Sequence, residues 1–209
     1  MPARTIPKNY RNVTGVAASS KSIGEAAFES TLERDFITIL DFDFSVTEFE
    51  VQPVKIEFQD ATGNLRYYTP DLLVKQNNRC ILYEVKHRKD LKKDWQILKP
   101  KYKAAIAYAK SKGWKFKIIT EIEIRTTYLD NVKFLKRYSS PIDDPRMSTA
   151  LDLMNQLCES TPEILTSVLA NDFSNRAESI YLVWQLIARG YIQTDLTRPL
   201  TMETRIWTV

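Results

Sequence analysis

The sequence predicts an α/β fold, and three observations carry that prediction. An amphipathic helix comes early, several short runs alternate with period two, and a long basic helix leads into one more alternating run. In the first helix, Gly24 to Leu40, apolar residues fall at Phe28, Leu32, Phe36, Ile39 and Leu40, spaced by threes and fours along one face. Glu29 and Glu33 lie one turn apart on it and share a face. Val46 to Val51 reads as a strand, and Pro53 just after it suits an edge or a strand start. Val54 to Phe58 alternates, residues 59–64 turn, and Leu65 to Thr69 returns. Two apolar runs follow, LeuLeuVal after Asp71 and CysIleLeuTyr before Glu84, with the polar turn Gln76-Asn77-Asn78 between them. Lys92 to Lys112 is an Ala-rich basic helix ended by Gly113, which suits a C-cap, and Trp114 to Thr120 closes the set as a strand.

The flanks read differently. Residues 1–24 are polar, with Pro, Ser and Gly and no periodicity, and predict a flexible basic arm that orders on a partner. Ser139 to Arg146 has the composition of a linker. Beyond it come two or three short helices, one opened by Thr161-Pro162-Glu163 and one over Ser179 to Arg189. Two short β-rich pieces follow, which is the order of a winged helix-turn-helix. The expected domains are therefore an arm over 1–24, a central domain over 25–140 and a winged-helix domain over 147–209.

At 209 residues with 44% hydrophobic and 11% aromatic side chains, the chain has material for a real core. A net charge of +4 permits nucleic-acid binding without demanding it. Clustering says more: Lys86 to Lys103 is dense in Lys and Arg, with Asp90 and Asp94 the only acids. Cys80 and Cys158 stand alone in apolar contexts without zinc spacing, so both are expected as reduced core thiols of a cytoplasmic protein. No run approaches the ~18 apolar residues of a membrane span. The basic N-terminus has no apolar stretch of the secretory kind.

The chemistry concentrates between Asp71 and Lys86. Strand residues two apart share a face, so Glu84 and Lys86 project together while Val85 points the other way. If the two apolar runs pair across Gln76-Asn77-Asn78, Asp71 comes to the same end of the sheet. Two carboxylates and an ammonium at one strand end suit a divalent metal and a phosphodiester. Mg²⁺ prefers oxygen ligands and keeps several waters, so Asp71, Glu84 and the Val85 carbonyl suffice, with Glu33 or Glu29 completing the shell. Lys86 has three readings: orienting the attacking water, helping to deprotonate it, or stabilising phosphate charge. An ordinary strand-end charge cluster is the competing reading.

These residues reach a known family. YTPDLLV and CILYEVKHR, preceded by ESTLERDFITIL and VQPVKIEF, resemble the TnsA endonuclease of heteromeric cut-and-paste transposons. The Asp…Glu-x-Lys form is also that of the restriction-endonuclease-like superfamily. The likeness runs in good order over roughly residues 10 to 140 and continues more loosely beyond. It implies a restriction-endonuclease-like core, a mixed sheet flanked by helices, with a C-terminal winged-helix domain. By matching motif, Glu33 takes the helix role, with Glu29 competing, Asp71 the strand role, and Glu84 and Lys86 the pair. The resemblance further implies Mg²⁺-dependent cutting, with Mn²⁺ substituting, of the 5′ ends in transposon-end DNA. A DDE-type transposase, TnsB, would cut and join the 3′ ends, and the C-terminal domain would contact an AAA+ regulator, TnsC, in a bacterial, nucleoid-associated setting. A stand-alone restriction or repair nuclease and a non-catalytic assembly factor on the same fold are the alternatives.

His87, Arg88, Lys89, Lys92 and Lys93, with Lys99, Lys101 and Lys103 further on, are expected to face a phosphate backbone. Gln96 reads either as a positioning residue or as plain helix surface. The aromatics Trp95, Tyr102, Tyr108 and Trp114 are expected in the core rather than as base-stacking platforms. Few basic residues fall on the would-be recognition helix, so the C-terminal piece is expected to dock a protein rather than read DNA.

Overall fold

The computed structural model describes residues 13–139, 144–173 and 175–208. It divides into two compact units with the boundary between Arg125 and Thr126. The first contains β1 (Gly15–Ala17), β2 (Ala26–Phe28), α1 (Thr31–Phe42), β3 (Val46–Val51), β4 (Ile56–Gln59) and β5 (Leu65–Tyr68). Then come β6 (Leu72–Gln76), β7 (Arg79–Val85), α2 (Arg88–Ser111), β8 (Lys115–Ile119) and α3 (Glu121–Ile124).

The centre of this unit is a four-stranded mixed sheet in the order β3-β6-β7-β8. The β6–β7 hairpin forms as the sequence predicts, in the register Leu72↔Tyr83 to Gln76↔Arg79. Its two loop residues, Asn77 and Asn78, both have positive φ (47° and 59°). That is the backbone a two-residue hairpin loop needs, and Asn tolerates it better than most side chains. From Ile81 to Val85 every residue of β7 is buried, as suits a central strand covered on both faces. β8 lies parallel to β7, and α2 supplies the crossover that a parallel pair requires. Past the C-cap Lys112, Gly113 carries the positive φ (72°) anticipated for it.

Two expectations are corrected. The predicted first helix starts late, at Thr31, because Ala26–Phe28 is drawn into a ladder with Gly15–Ala17. Ser30 caps the helix, its Oγ accepting from the Glu33 amide. The part of the expected arm that is described, residues 13–24, is therefore ordered. It is also tied to β3, through Ile23 N to Phe49 O (2.8 Å) and Phe49 N to Lys21 O (2.9 Å). Residues 1–12 lie outside the described residues. β4 and β5 pair across the turn at residues 59–64 as the sequence suggests, in a two-stranded ladder outside the main sheet. Ile56 and Tyr68 from it pack with Leu82 of β7 and with Leu98, Tyr102 and Ala105 of α2 in one apolar cluster.

The second unit holds α4 (Thr127–Leu135), a 3-10 turn (Lys136–Tyr138), α5 (Met147–Leu157), β9 (Glu159–Ser160), α6 (Pro162–Phe173) and α7 (Arg176–Ala188). Two short strands end it, β10 (Gln193–Thr194) and β11 (Ile206–Trp207). A small antiparallel sheet runs β10-β11-β9. Three helices follow where two or three were expected, but the unit begins at Thr126, thirteen residues before Ser139, because α4 packs within it. Phe134 meets Trp184 edge-on at 5.0 Å, and Tyr138 lies 5.4 Å from Tyr181. The buried Asn131 donates to the carbonyls of Leu196 (2.9 Å) and Arg198 (2.7 Å) and accepts from the Leu200 amide (3.2 Å). Cys158, expected in a core, is exposed, and Cys80 is half-buried.

Asn131 satisfies three backbone groups at once, so its loss strands partly buried polar atoms. We expect Asn131→Ala to cost about 2–4 kcal/mol, read by thermal melting, and Asn131→Asp to cost at least as much, because its second carboxylate oxygen would face the Leu196 and Arg198 carbonyls with no hydrogen to donate.

Candidate active site

The site is built where the main sheet opens at the end of β7. Asp71 immediately precedes β6, one step beyond the Leu72↔Tyr83 pair, and so stands opposite Glu84. Its backbone is held on both sides: its amide donates to Tyr83 O (3.1 Å) and its carbonyl accepts from Gln52 N (2.8 Å). Its Oδ2 takes the Val85 amide at 2.6 Å, so a carboxylate stands where a ladder carbonyl would otherwise be. Within a strand residue the N–H and C=O point to the same side, which puts the Val85 carbonyl on the Asp71 side of β7. Lys86 continues the strand, its amide bonded to Ile119 O (3.0 Å), and is half-buried. Among the described residues its ammonium makes no ion pair or hydrogen bond.

Glu84 is only 4% exposed and has both oxygens engaged. Oε2 accepts from the Tyr68 hydroxyl (2.6 Å), and Oε1 accepts from Lys101 Nζ (3.0 Å) and the Tyr102 hydroxyl (3.1 Å). Burial, then the charge of Glu84, pushes both phenols well above their usual range, so they remain protonated donors. Glu33 meets the N-cap Ser30, its amide donating to Ser30 Oγ (3.1 Å). Its carboxylate accepts from the Ser30 hydroxyl (2.8 Å) and from the Glu29 amide (2.8 Å) at the start of α1.

These carboxylates feel one another. Desolvation, then the charges of Glu84 and Glu33, raises Asp71 well above the ordinary carboxylate range. Desolvation also raises Glu33, reinforced by Glu29 and Glu84 and opposed by its two hydrogen bonds. Glu33 lies within α1, whereas Glu29 precedes its N-cap, and the charge of Glu33 acts on Asp71. Glu29 instead receives a long contact (3.4 Å) from the amide of Gln52.

Two family models match this chain. The TnsA-like endonuclease N-terminal model covers residues 43–121, and the TnsA endonuclease C-terminal model covers residues 123–196. The chain belongs to the TnsA endonuclease family. A comparison with curated proteins finds no match. The join between the two matches, at residue 122, falls close to the boundary between the compact units and not at the linker the composition suggested. A mixed α/β sheet flanked by helices fits the restriction-endonuclease-like core anticipated for such a chain.

As a TnsA-family site, the donor set suits a hard divalent cation in its chemistry. It is all oxygen, and the burial and neighbouring charge that raise Asp71 and Glu33 are what a cation would offset. Asp71, Glu84 and the Val85 carbonyl would hold it, with Glu33 nearest in charge. Among the described residues no three His, Cys, Asp or Glu side chains stand close enough together to enclose an ion, because Glu33 and Glu84 are each turned to donors of their own.

The basic segment divides. Arg88, Lys89, Lys92 and Lys93 are exposed on the first turns of α2, as are Lys99 and Lys103 further along. Lys101 is not part of that face, being drawn inward to Glu84. His87, half-exposed, turns to Glu121 (Nδ1 to Oε2 3.4 Å), which also accepts from the Arg88 amide (2.9 Å). A phosphate at His87 would therefore meet a carboxylate. Gln96 is exposed helix surface. Of the four aromatics expected in the core, Tyr102 is buried and Tyr108 and Trp114 are half-buried. Trp95 is 43% exposed and, with Arg88, Leu91 and Lys92, lines a shallow depression of about 350 Å³.

Sequence reasoning missed Tyr68, Tyr102 and Lys101 as partners of Glu84, and Gln52. Gln52 is 7% exposed, has φ +48°, and its Oε1 has no hydrogen-bond partner among the described residues. Such backbone in a non-glycine residue beside a site is a signal that only the folded chain provides.

The raised pKa of Asp71 has a consequence for stability. Its folded pKa lies above the unfolded one, so the cost of its charge is absent below the unfolded value and grows as pH rises towards the folded one. Asp71→Asn, which keeps an acceptor for Val85, should raise the melting temperature in EDTA at pH 7 by about 2–4 °C, equivalent to ~1 kcal/mol. The gain should vanish near pH 4, where wild type and variant should melt together.

Proposed function

We propose that this TnsA-family endonuclease is the subunit that cuts the 5′ ends of a transposon by Mg²⁺-dependent phosphodiester hydrolysis, while a partner DDE-type transposase, TnsB, cuts the 3′ ends. The observation that carries the reading is Asp71 opposite Glu84 with Val85 bonded to Asp71, in a chain matched along both units by TnsA endonuclease models.

In this reading Asp71, Glu84 and the Val85 carbonyl hold the cation, and Glu33 adds negative charge behind them. A bound Mg²⁺ would supply Lewis-acid neutralisation of the phosphate and a more acidic water. Lys86, next along the strand and on the face of Glu84, supplies positive charge to the scissile phosphate or orients the water. Arg88, Lys89, Lys92 and Lys93 hold the neighbouring backbone, which fixes register without reading sequence.

We read the second unit as a winged helix that docks a protein, the AAA+ regulator TnsC. The order α5-β9-α6-α7 followed by the β10–β11 hairpin supports the first part. For the second, α7 sits where a recognition helix would, and Leu182 through Ala188 are all buried, so the C-terminal half of α7 has no free face for a groove. Exposed Ile164 and Val168, one turn apart on α6, suit an apolar contact. Among the described residues no helix is long and apolar enough to cross a membrane.

Asp71→Ala should abolish 5′-end cleavage by the reconstituted transposase, by at least ~10³-fold, while the partners still assemble. Persisting cleavage would remove Asp71 from the site. The wild-type chain alone with Mg²⁺ should leave naked DNA intact, whereas ready cutting would favour a stand-alone nuclease. Arg88→Ala and Lys92→Ala should each weaken DNA binding uniformly across sequences and reduce the salt slope of log K by about 1.

A further inference from the structure

Lys101 is set apart from every other lysine of α2. Its ammonium lies 3.0 Å from Glu84 Oε1, 4.4 Å from the centre of the Tyr68 ring and 5.0 Å from that of Tyr102. Those two rings are edge-on to each other at 6.1 Å, and their hydroxyls bond the same carboxylate. Only 20% of the Lys101 side chain is exposed, so it is a packed part of the wall rather than a surface charge. Its charge also reaches Asp71, the other strand carboxylate. A single positive charge is thus enclosed by two aromatic faces beside the two acids that the nuclease reading assigns to the cation.

We propose that Lys101 is the built-in counter-cation of the site: its ammonium, caged by Tyr68 and Tyr102 on Glu84, competes with the divalent ion for that carboxylate and sets how readily the ion loads. This rests on the reading of Asp71 and Glu84 as metal ligands. Physically, an ammonium in contact with Glu84 repels a dication that shares the carboxylate, and it does so in a setting where solvent screens little. The two phenols keep Glu84 in place when the ammonium moves aside, because they donate to different oxygens and remain protonated. Lys101 therefore acts on the ion through Glu84 as a positioning residue, in contrast to Lys86 at the open strand end. Its place in a run of lysines suggests phosphate contact, but its geometry serves the site's own charge balance.

The test is calorimetric titration of the full-length chain with Mn²⁺ in the absence of DNA, comparing wild type with Lys101→Met, Lys101→Arg and Asp71→Ala. Lys101→Met should bind Mn²⁺ about tenfold tighter or more, Lys101→Arg close to wild type, and Asp71→Ala much more weakly. Binding of a short DNA duplex should change less than about twofold in Lys101→Met, unlike loss of a phosphate contact. Should Lys101→Met not fold, Lys101→Gln removes the same charge while keeping a donor, and the same gain is expected. Unchanged or weaker Mn²⁺ binding by the neutral variant, with wild type binding normally, overturns the role of Lys101 alone. Absence of Mn²⁺ binding by every protein, wild type included, overturns the metal site itself.

Discussion

Glu84 lies at the end of the central strand almost without solvent contact, and a carboxylate in that position is tolerated only where donors replace the water it has lost. Much of the first unit follows from that requirement. The separate β4–β5 ladder delivers Tyr68, α2 delivers Tyr102 and Lys101, and the apolar cluster of Ile56, Leu82, Leu98 and Ala105 holds those elements in place. Packing and chemistry are the same contacts here: the rings that fill the space between helix and sheet also carry the hydroxyls that fix the carboxylate.

Against this well-satisfied acid stand two that are not at rest. Asp71 and Glu33 are crowded by each other and by Glu84, and the fold keeps them by hydrogen bonds from Val85, Ser30 and the Glu29 amide. Burial and neighbouring negative charge raise both above the ordinary carboxylate range. The exposed cations at the start of α2 extend the same logic outward. They can neutralise a DNA backbone without entering the site, because Lys101 alone of that series is turned inward.

The division into two units has its own physical basis. The composition changes over Ser139–Arg146, yet the unit begins at Thr126, because Asn131, Phe134 and Tyr138 bond and pack with the 196–200 segment, Trp184 and Tyr181. A unit ends where contacts end and not where prolines cluster.

What the sequence determined by itself is local. Alternation placed β4 and β8, apolar runs placed β6 and β7, the Asn77-Asn78 turn paired those two, and that register alone brought Asp71 opposite Glu84. Gly113 stopped α2 where its backbone freedom allowed. Tertiary structure decided the rest. It brought the charge of Glu33 to bear on Asp71, turned His87 towards Glu121, exposed Trp95, and bonded part of the expected arm to β3. It also singled out Lys101 from a run of lysines. Tyr68 lies 16 positions and Lys101 17 positions from Glu84. Each reaches Glu84 only because a separate ladder and a crossover helix pack over the same strand. Periodicity reports which face of an element is apolar; it holds no record of which other element that face will meet.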